Sequence, residues 1–199
     1  MKKFELTNEF ITNMFGTKLF RIRALVEFGD VEAGELGGYV EKESNLGHDD
    51  NAWVYGNARV YGNARVYGDA QVSGDARVYG NARVYGNAWV YDNAWVYGNA
   101  RVCGDALVCG NARVCSDEDY AYAHGFGSVN RTTTFFRLKD GGVGVRCGCF
   151  YGTLAQFRDK IRETHGETKK AQEYLMLADL MELRFEEDEN EVGNRKYVE

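Results

Sequence analysis

Several features that would indicate common classes of protein are missing from this sequence. No apolar run approaches the roughly 18–20 residues of a membrane-spanning helix, and the acidic Glu5 and Glu9 interrupt the region where a signal peptide needs its apolar core. A net charge of −6 excludes the basic footprint of a general nucleic-acid-binding protein. Five cysteines, an odd number, do not suit a disulfide framework. We therefore expect a protein of the reducing cytoplasm, without membrane contact.

The usual signatures of catalysis and cofactor binding are missing as well. The sequence has no Ser-His-Asp order, no phosphate-binding loop and no dinucleotide fingerprint. The glycine-rich "GGVGVRCG" (141–148) lacks the lysine that a phosphate-binding loop requires. We therefore predict no cofactor and no metal.

The sequence contains instead one hexapeptide, repeated eleven times without interruption over residues 51–116. Each unit reads [N/D]-A-x-V-x-[G/D/S], with alanine second from Ala52 to Ala112 and valine fourth from Val54 to Val114. Because strand side chains alternate, alanine and valine point inward and the two residues beside valine point outward. The Gly-Asn and Gly-Asp pairs supply the positive φ of a tight corner. Three hexads then close a triangular coil, and successive coils stack as parallel strands roughly 4.8 Å apart.

The pattern V-x-[G/D]-[N/D]-A-x, present in all the units, resembles the hexapeptide repeat of left-handed parallel β-helix proteins. The resemblance implies a mainly β fold, a left-handed parallel β-helix with eighteen residues per coil, flanked by an N-terminal β cap and a C-terminal α+β module. Three stretches together resemble phage and prophage hexapeptide-repeat proteins, which implies a viral origin but no reaction. They are "RIRALVEFGDVEAGELGGYVEKESNL" (21–46), the repeat, and "NRTTTFFRLKDGGVGVRCGCFYGTL" with "ETHG" (130–166).

We predict that the chain divides into three regions: an N-terminal cap (1–50), the β-helix (51–116) and a C-terminal α+β module (117–199). In the cap, 18–28 is predicted as a strand and 29–38 as turns, and the residues that follow lead into the repeat as an irregular first coil. In the module, 131–138 and 143–150 form a hairpin around "KDGG", and Thr153 caps a helix that begins at Leu154. "HGET" (165–168) breaks that helix, a second amphipathic helix follows, and the polar tail 186–199 is frayed.

Stacking every third hexad sorts the outward residues onto three faces. The first face carries Trp53/Tyr55, Gln71/Ser73, Trp89/Tyr91 and Leu107/Cys109. The second face carries Arg59/Tyr61, Arg77/Tyr79, Trp95/Tyr97 and Arg113/Cys115. The third face carries Arg65/Tyr67, Arg83/Tyr85 and Arg101/Cys103. Two faces thus combine an arginine column with a tyrosine column, and the first carries tryptophan without arginine.

The leading hypothesis is a non-enzymatic binding protein that presents these columns to an anionic small molecule or a host protein. Arginine offers a bidentate fork to phosphate or carboxylate, and tyrosine offers a stacking plane. The predicted ligand-binding residues are Arg59, Tyr61, Arg65, Tyr67, Arg77, Tyr79, Arg83, Tyr85, Arg101 and Arg113. The alternative interpretation is that arginine and tyrosine only suit a sheet surface. Exposed aromatics without charge suggest a protein contact or homo-oligomer interface, a trimer by resemblance, through Trp53, Tyr55, Trp89, Tyr91 and Trp95.

Two other functions stay open at this point. Many hexapeptide-repeat proteins are acyltransferases that use acyl-CoA and a histidine base, but residues 51–116 contain no histidine and no inserted loop. His124 is then the candidate general base, since glycines around it allow a substrate to approach. Cys103, Cys109 and Cys115 fall on different faces and cannot share one metal, and Cys147 and Cys149 are predicted as small buried residues. The third possibility is a structural spacer that forms polymers.

Overall fold

The structure, a computed structural model, describes residues 1–127 and 129–186. Residues 51–116 wind into a β-solenoid of eleven two-residue strands in three parallel sheets. The strands are β4 (Trp53–Val54), β5 (Arg59–Val60), β6 (Arg65–Val66), β7 (Gln71–Val72), β8 (Arg77–Val78), β9 (Arg83–Val84), β10 (Trp89–Val90), β11 (Trp95–Val96), β12 (Arg101–Val102), β13 (Leu107–Val108) and β14 (Arg113–Val114).

The order of these strands confirms the coil of eighteen residues. The first face is the sheet β4-β7-β10-β13, the third face is β6-β9-β12, and the second face is β5-β8-β11-β14 extended by the N-terminal strands. Each arginine or tryptophan before valine from Trp53 to Trp95 lies opposite the residue eighteen positions later, as Arg65 lies opposite Arg83. All three predicted stacks of residues are therefore confirmed, whereas the left hand of the coil stays a prediction.

The solenoid interior consists of the repeated alanine and valine residues. Every alanine from Ala52 to Ala112 and every valine from Val54 to Val114 is fully buried. The corners turn at residues of positive φ, such as Gly80 at +71°. A Cβ on Gly80 would lie 3.0 Å from the backbone nitrogen of Gly98 in the next coil, so stacking as well as torsion selects glycine.

The N-terminal cap is a three-stranded antiparallel sheet of β1 (Phe4–Thr12), β2 (Lys18–Ala24) and β3 (Leu36–Val40). Strand β3 continues into the solenoid, because Tyr39 pairs in parallel with Arg59 and Leu46 bridges to Val66. These partners lie twenty residues apart, so the first coil is irregular and longer, as expected. Strand β1 was not predicted, the predicted strand 18–28 ends at Ala24, and β3 begins inside the segment predicted as turns.

Two buried polar side chains satisfy the backbone at this end of the solenoid. The amide of Asn45, within the 3₁₀ turn Glu43–Asn45, donates to the carbonyl oxygens of Gly62 and Ala64 at 3.2 and 2.8 Å. The Lys3 ammonium donates to the carbonyl oxygens of Asp50 and Ala52 at 2.6 and 2.8 Å, and burial lowers its pKa to about 8. Side chains thereby pair carbonyl groups at this irregular end of the solenoid.

The C-terminal module contains four antiparallel strands and two helices. They are β15 (Tyr120–Phe126), β16 (Arg131–Arg137), β17 (Val143–Cys147), β18 (Phe150–Thr153), α1 (Leu154–His165) and α2 (Lys169–Phe185). The β16–β17 hairpin and the start of α1 are confirmed, with Thr153 and Gln156 forming a capping box. Strands β15 and β18 were not predicted, and the frayed tail falls almost entirely on residues 187–199, outside the described residues.

The C-terminal sheet closes the other end of the solenoid. The Thr134 hydroxyl accepts the backbone N–H of Leu107 at 2.9 Å, and the Tyr120 hydroxyl donates to the carbonyl of Arg101 at 2.6 Å. Tyr120 and Phe136 join the solenoid core, while α1 and α2 build a second core on the far side of the sheet. Over residues 1–127 and 129–186, no helix combines the length and apolar character needed to cross a membrane.

Candidate functional site

The two arginine columns lie in different environments. On the second face the column is half-buried, and Trp95 lies between two guanidinium groups, 4.6 Å from Arg77 and 4.1 Å from Arg113. The Arg113 guanidinium also donates to the carbonyl oxygens of Asn93 and Ala112 at 3.0 and 2.7 Å. These cation–π contacts and hydrogen bonds hold the second-face column against the solenoid wall. Trp95, predicted at an oligomer interface, therefore packs between two arginines of this column.

On the third face, the arginine column is open to solvent. Arg65, Arg83 and Arg101 are all exposed, and their strands pair in register. Parallel strands lie about 4.8 Å apart, so three guanidinium groups rise from neighbouring positions. Within residues 1–127 and 129–186, none of the three forms an ion pair. The third face is thus a column of positive charge whose guanidinium groups form no ion pair with the described chain, although the Asp117 carboxylate accepts the backbone N–H of Arg101 at 2.7 Å.

A tyrosine column runs beside the third-face arginines. Tyr67 and Tyr85 stack with ring centroids 5.1 Å apart and planes 1° apart, and the Arg65 guanidinium lies 5.8 Å from the Tyr67 ring. The column ends at Cys103, which is followed by the hydroxyl of Tyr120 at 3.6 Å from its sulfur. Cys103 leaves the space that a third tyrosine would fill, and Tyr120 of the C-terminal module occupies that space. The third face therefore presents flat rings and charged forks side by side.

The second face carries the longer tyrosine column, which is more shielded. Tyr61, Tyr79 and Tyr97 stack at 5.0 and 5.2 Å with planes within 8° of parallel. Burial raises the pKa of Tyr79 to about 12, and it also raises the pKa of Tyr61. Asparagines at the following corner form their own ladder, Asn63 to Asn81 to Asn99, with side-chain bonds of 3.2 Å. These contacts stabilise the stacking of coils.

The first face is less accessible than the sequence suggests. The prediction that Trp53 faces outward is wrong: its side chain is fully buried, with the rings of Phe4 and Phe28 packed at 6.2 and 5.3 Å. The cap folds over this end of the face and covers it. At the other end Cys109 is buried, and between the ends Trp89 stays 47% exposed. Tyr55 and Tyr91 are half-buried against the core.

The candidate histidine lies outside the solenoid, and the candidate cysteines lie on its three faces or in the C-terminal module. His124 is exposed on β15, with its Nδ1 atom 2.9 Å from the Thr132 hydroxyl. Cys103, Cys109 and Cys115 follow β12, β13 and β14 on three different sheets, which confirms that they cannot converge. The prediction that Cys147 and Cys149 are buried is wrong, because a turn after β17 exposes Cys149, and Cys147, at the end of the strand, is only half-buried.

One concave feature was not predicted at all. A cavity of about 220 Å³ lies in the C-terminal module, between the β16–β18 sheet and the two helices. Residues from five elements line it, so no short sequence pattern could have identified it.

Comparison with known proteins bears on the repeat alone. The family model described as YdcK beta solenoid repeat matches residues 52–68, 58–74, 70–86, 76–92, 82–98 and 94–110. No curated protein matches the chain. These matches agree with the parallel sheets and the spacing of eighteen residues in the structure. Residues 52–110 are accordingly a β-solenoid repeat similar to that of the YdcK family.

Proposed function

We propose that this chain is a non-enzymatic binding protein whose third face recognises an anionic partner. One observation supports the proposal most: Arg65, Arg83 and Arg101 are exposed, in register and without an ion pair from the described residues. Three like charges on one rigid sheet repel one another, and a bound anion removes that repulsion. The second-face arginines, held against Trp95 and carbonyl oxygens, are better suited to supporting the wall.

The geometry favours a partner with several anionic groups in a row. Guanidinium forks at successive rungs bind carboxylate or phosphate oxygens in bidentate fashion. The stacked rings of Tyr67 and Tyr85 add an apolar strip beside them. An acidic segment of a host protein or a small polyanion satisfies both features, and the charge of residues 51–116, +2 against −4 on either flank, favours such a partner at the repeat.

Binding to poly-L-glutamate, a polycarboxylate probe, tests the proposal. The variant Arg65→Gln/Arg83→Gln/Arg101→Gln should lose at least tenfold in affinity, and the wild-type affinity should decrease as salt screens the column. A control variant with the same charge change, Lys139→Gln/Lys169→Gln/Lys170→Gln, alters exposed cations of the C-terminal module instead. Equal losses in the two triple variants would show that only net charge matters, and the third face would then have no specific role.

We also propose an origin and an oligomeric state for the protein. It would be encoded by a phage or prophage and act in the cytoplasm of the bacterial host, as the resemblance of its flanks to hexapeptide-repeat phage proteins implies. It also includes a homo-oligomer, a trimer by the same resemblance, formed through the exposed part of the first face around Trp89. Sedimentation of wild type and Trp89→Ala tests this part, and a wild-type monomer at all concentrations would remove it.

A further inference from the structure

The cavity in the C-terminal module combines an apolar floor with a cationic rim. Phe157, Ile161 and Tyr174 form the floor, and each is only 3% exposed. The Phe157 ring packs 5.8 Å from the Tyr174 ring and 5.4 Å from the Phe150 ring, so aromatic planes surround the space. The floor belongs to the second hydrophobic core, which fixes its shape independently of the solenoid.

The rim carries positive charge from two elements. Arg131 at the start of β16 and Lys160 on α1 line the opening, together with His165, whose ring stacks on Tyr174 at 5.9 Å. Among the residues that the structure describes, no carboxylate lines the cavity. Lys160 pairs with Glu163 at 2.8 Å, whereas Arg131 has no ion pair within the described ranges 1–127 and 129–186. Arg131 is therefore the cation that is available to a ligand.

A glycine holds the path of the Arg131 side chain open. Gly148, in the turn after β17, has φ of +58°, and a Cβ built there would overlap the Nη1 atom of Arg131. The guanidinium thus lies directly against the turn that borders the cavity. Neighbouring Cys147 and Cys149 add polarisable sulfur to the wall.

We propose that this cavity binds a small organic monocarboxylate, with its carboxylate on Arg131 and a single ring or short apolar body on the floor. The volume of about 220 Å³ is below the roughly 300–1,000 Å³ of sites for drug-sized molecules, which limits the ligand to about one ring. The apolar floor selects against free phosphate or sulfate, and the cationic rim selects against neutral hydrocarbons. This site is independent of the third face and of the function proposed for it.

Titration of the ¹⁵N-labelled protein with benzoate tests the site, with benzamide as a neutral probe of the same shape. A ligand of so few atoms is expected to bind with a dissociation constant on the order of 1–10 mM. Benzoate should shift amide resonances around Phe157 and Ile161, and benzamide should bind at least tenfold more weakly. Arg131→Gln should reduce benzoate affinity at least tenfold, whereas the control Arg23→Gln, an exposed arginine of the N-terminal cap, should leave it unchanged.

A second variant tests the contribution of the apolar floor separately from that of the cationic rim. Ile161→Phe fills the floor and should abolish binding of both probes, and the amide spectrum of the variant reports whether the module stays folded. Since Arg131 is exposed, its variant folds even where the floor variant does not. Equal affinities for benzoate and benzamide, or no shifts at the cavity with benzoate, would overturn the proposal.

Discussion

The open arginine column predicts that a single substitution both stabilises the protein and weakens its binding. Arg83 lies between Arg65 and Arg101 on adjacent strands. At a spacing of about 4.8 Å, each adjacent pair of charges repels by about 0.9 kcal/mol in water. Arg83→Gln removes two such pairs, about 1.7 kcal/mol, and splaying of the long side chains to about 7 Å reduces this to about 1.2 kcal/mol. The unfolded chain separates these charges, so the gain appears in the free energy of unfolding.

Urea denaturation at two salt concentrations measures the effect. With a Debye length of about 30 Å at 0.01 M salt, nearly all of the repulsion remains, and at 1 M salt, where the length is about 3 Å, about a fifth remains. Arg83→Gln should therefore raise the free energy of unfolding by about 1–1.5 kcal/mol at low salt and by about 0.3 kcal/mol at high salt. Arg83→Lys keeps the charge and should change stability little. A loss of stability at low salt in Arg83→Gln, or an equal gain in Arg83→Lys, would refute the reasoning.

Three further predictions concern the solenoid and its cap. Burial raises the pKa of Tyr79 to about 12, so the stability that the protonated hydroxyl confers is complete below about pH 10 and is lost as the pH rises through about 12. Tyrosinate absorbance and denaturation against pH check this, and Tyr79→Phe should lessen the alkaline loss of stability without abolishing it, because the pKa of Tyr61 is raised as well. Gly80→Ala should lower the free energy of unfolding, measured by denaturation, by more than about 1 kcal/mol, because φ is +71° and the new Cβ would lie 3.0 Å from the next coil. Gly56→Ala, with open space around it, should lower it less. Trp53→Ala should cost about 3–5 kcal/mol and loosen the N-terminal cap. Trp53→Phe should cost less because it also removes a buried indole N–H that has no partner among the described residues, and hydrogen exchange of β1 amides checks both variants.

The sequence was sufficient to predict the solenoid because its information is local and repeated. Alternation of side chains places Ala76 and Val78 inside and Arg77 and Tyr79 outside, and the same rule applies in every unit. The eighteen-residue stack then follows from three corners per coil, so even the partners across strands, such as Arg83 and Arg101, could be named. The start of α1 was also predictable, since a capping box is a pattern of four neighbouring residues.

The ends of the solenoid and the character of each face could not be predicted in this way. Trp53 has the same sequence position as the exposed Trp89, and only the cap decides that it is buried. Strands β1, β15 and β18 exist because they pair with distant partners, which no local pattern records. Whether an arginine is available also depends on a neighbour eighteen residues away, as Trp95 shows for Arg77.

The sequence by itself therefore determined the coil, its interior and the list of residues on each face, because those depend on a period that every hexad repeats. Tertiary structure alone decided which parts of those faces stay open. The N-terminal strands cover Trp53, the C-terminal sheet covers Cys109, and Trp95 holds the second-face arginines, which leaves the third face as the open charged column. Tertiary structure also assembled the cavity beside Arg131 from five separate elements. Burial and pairing at these places arise from contacts between residues far apart in the chain.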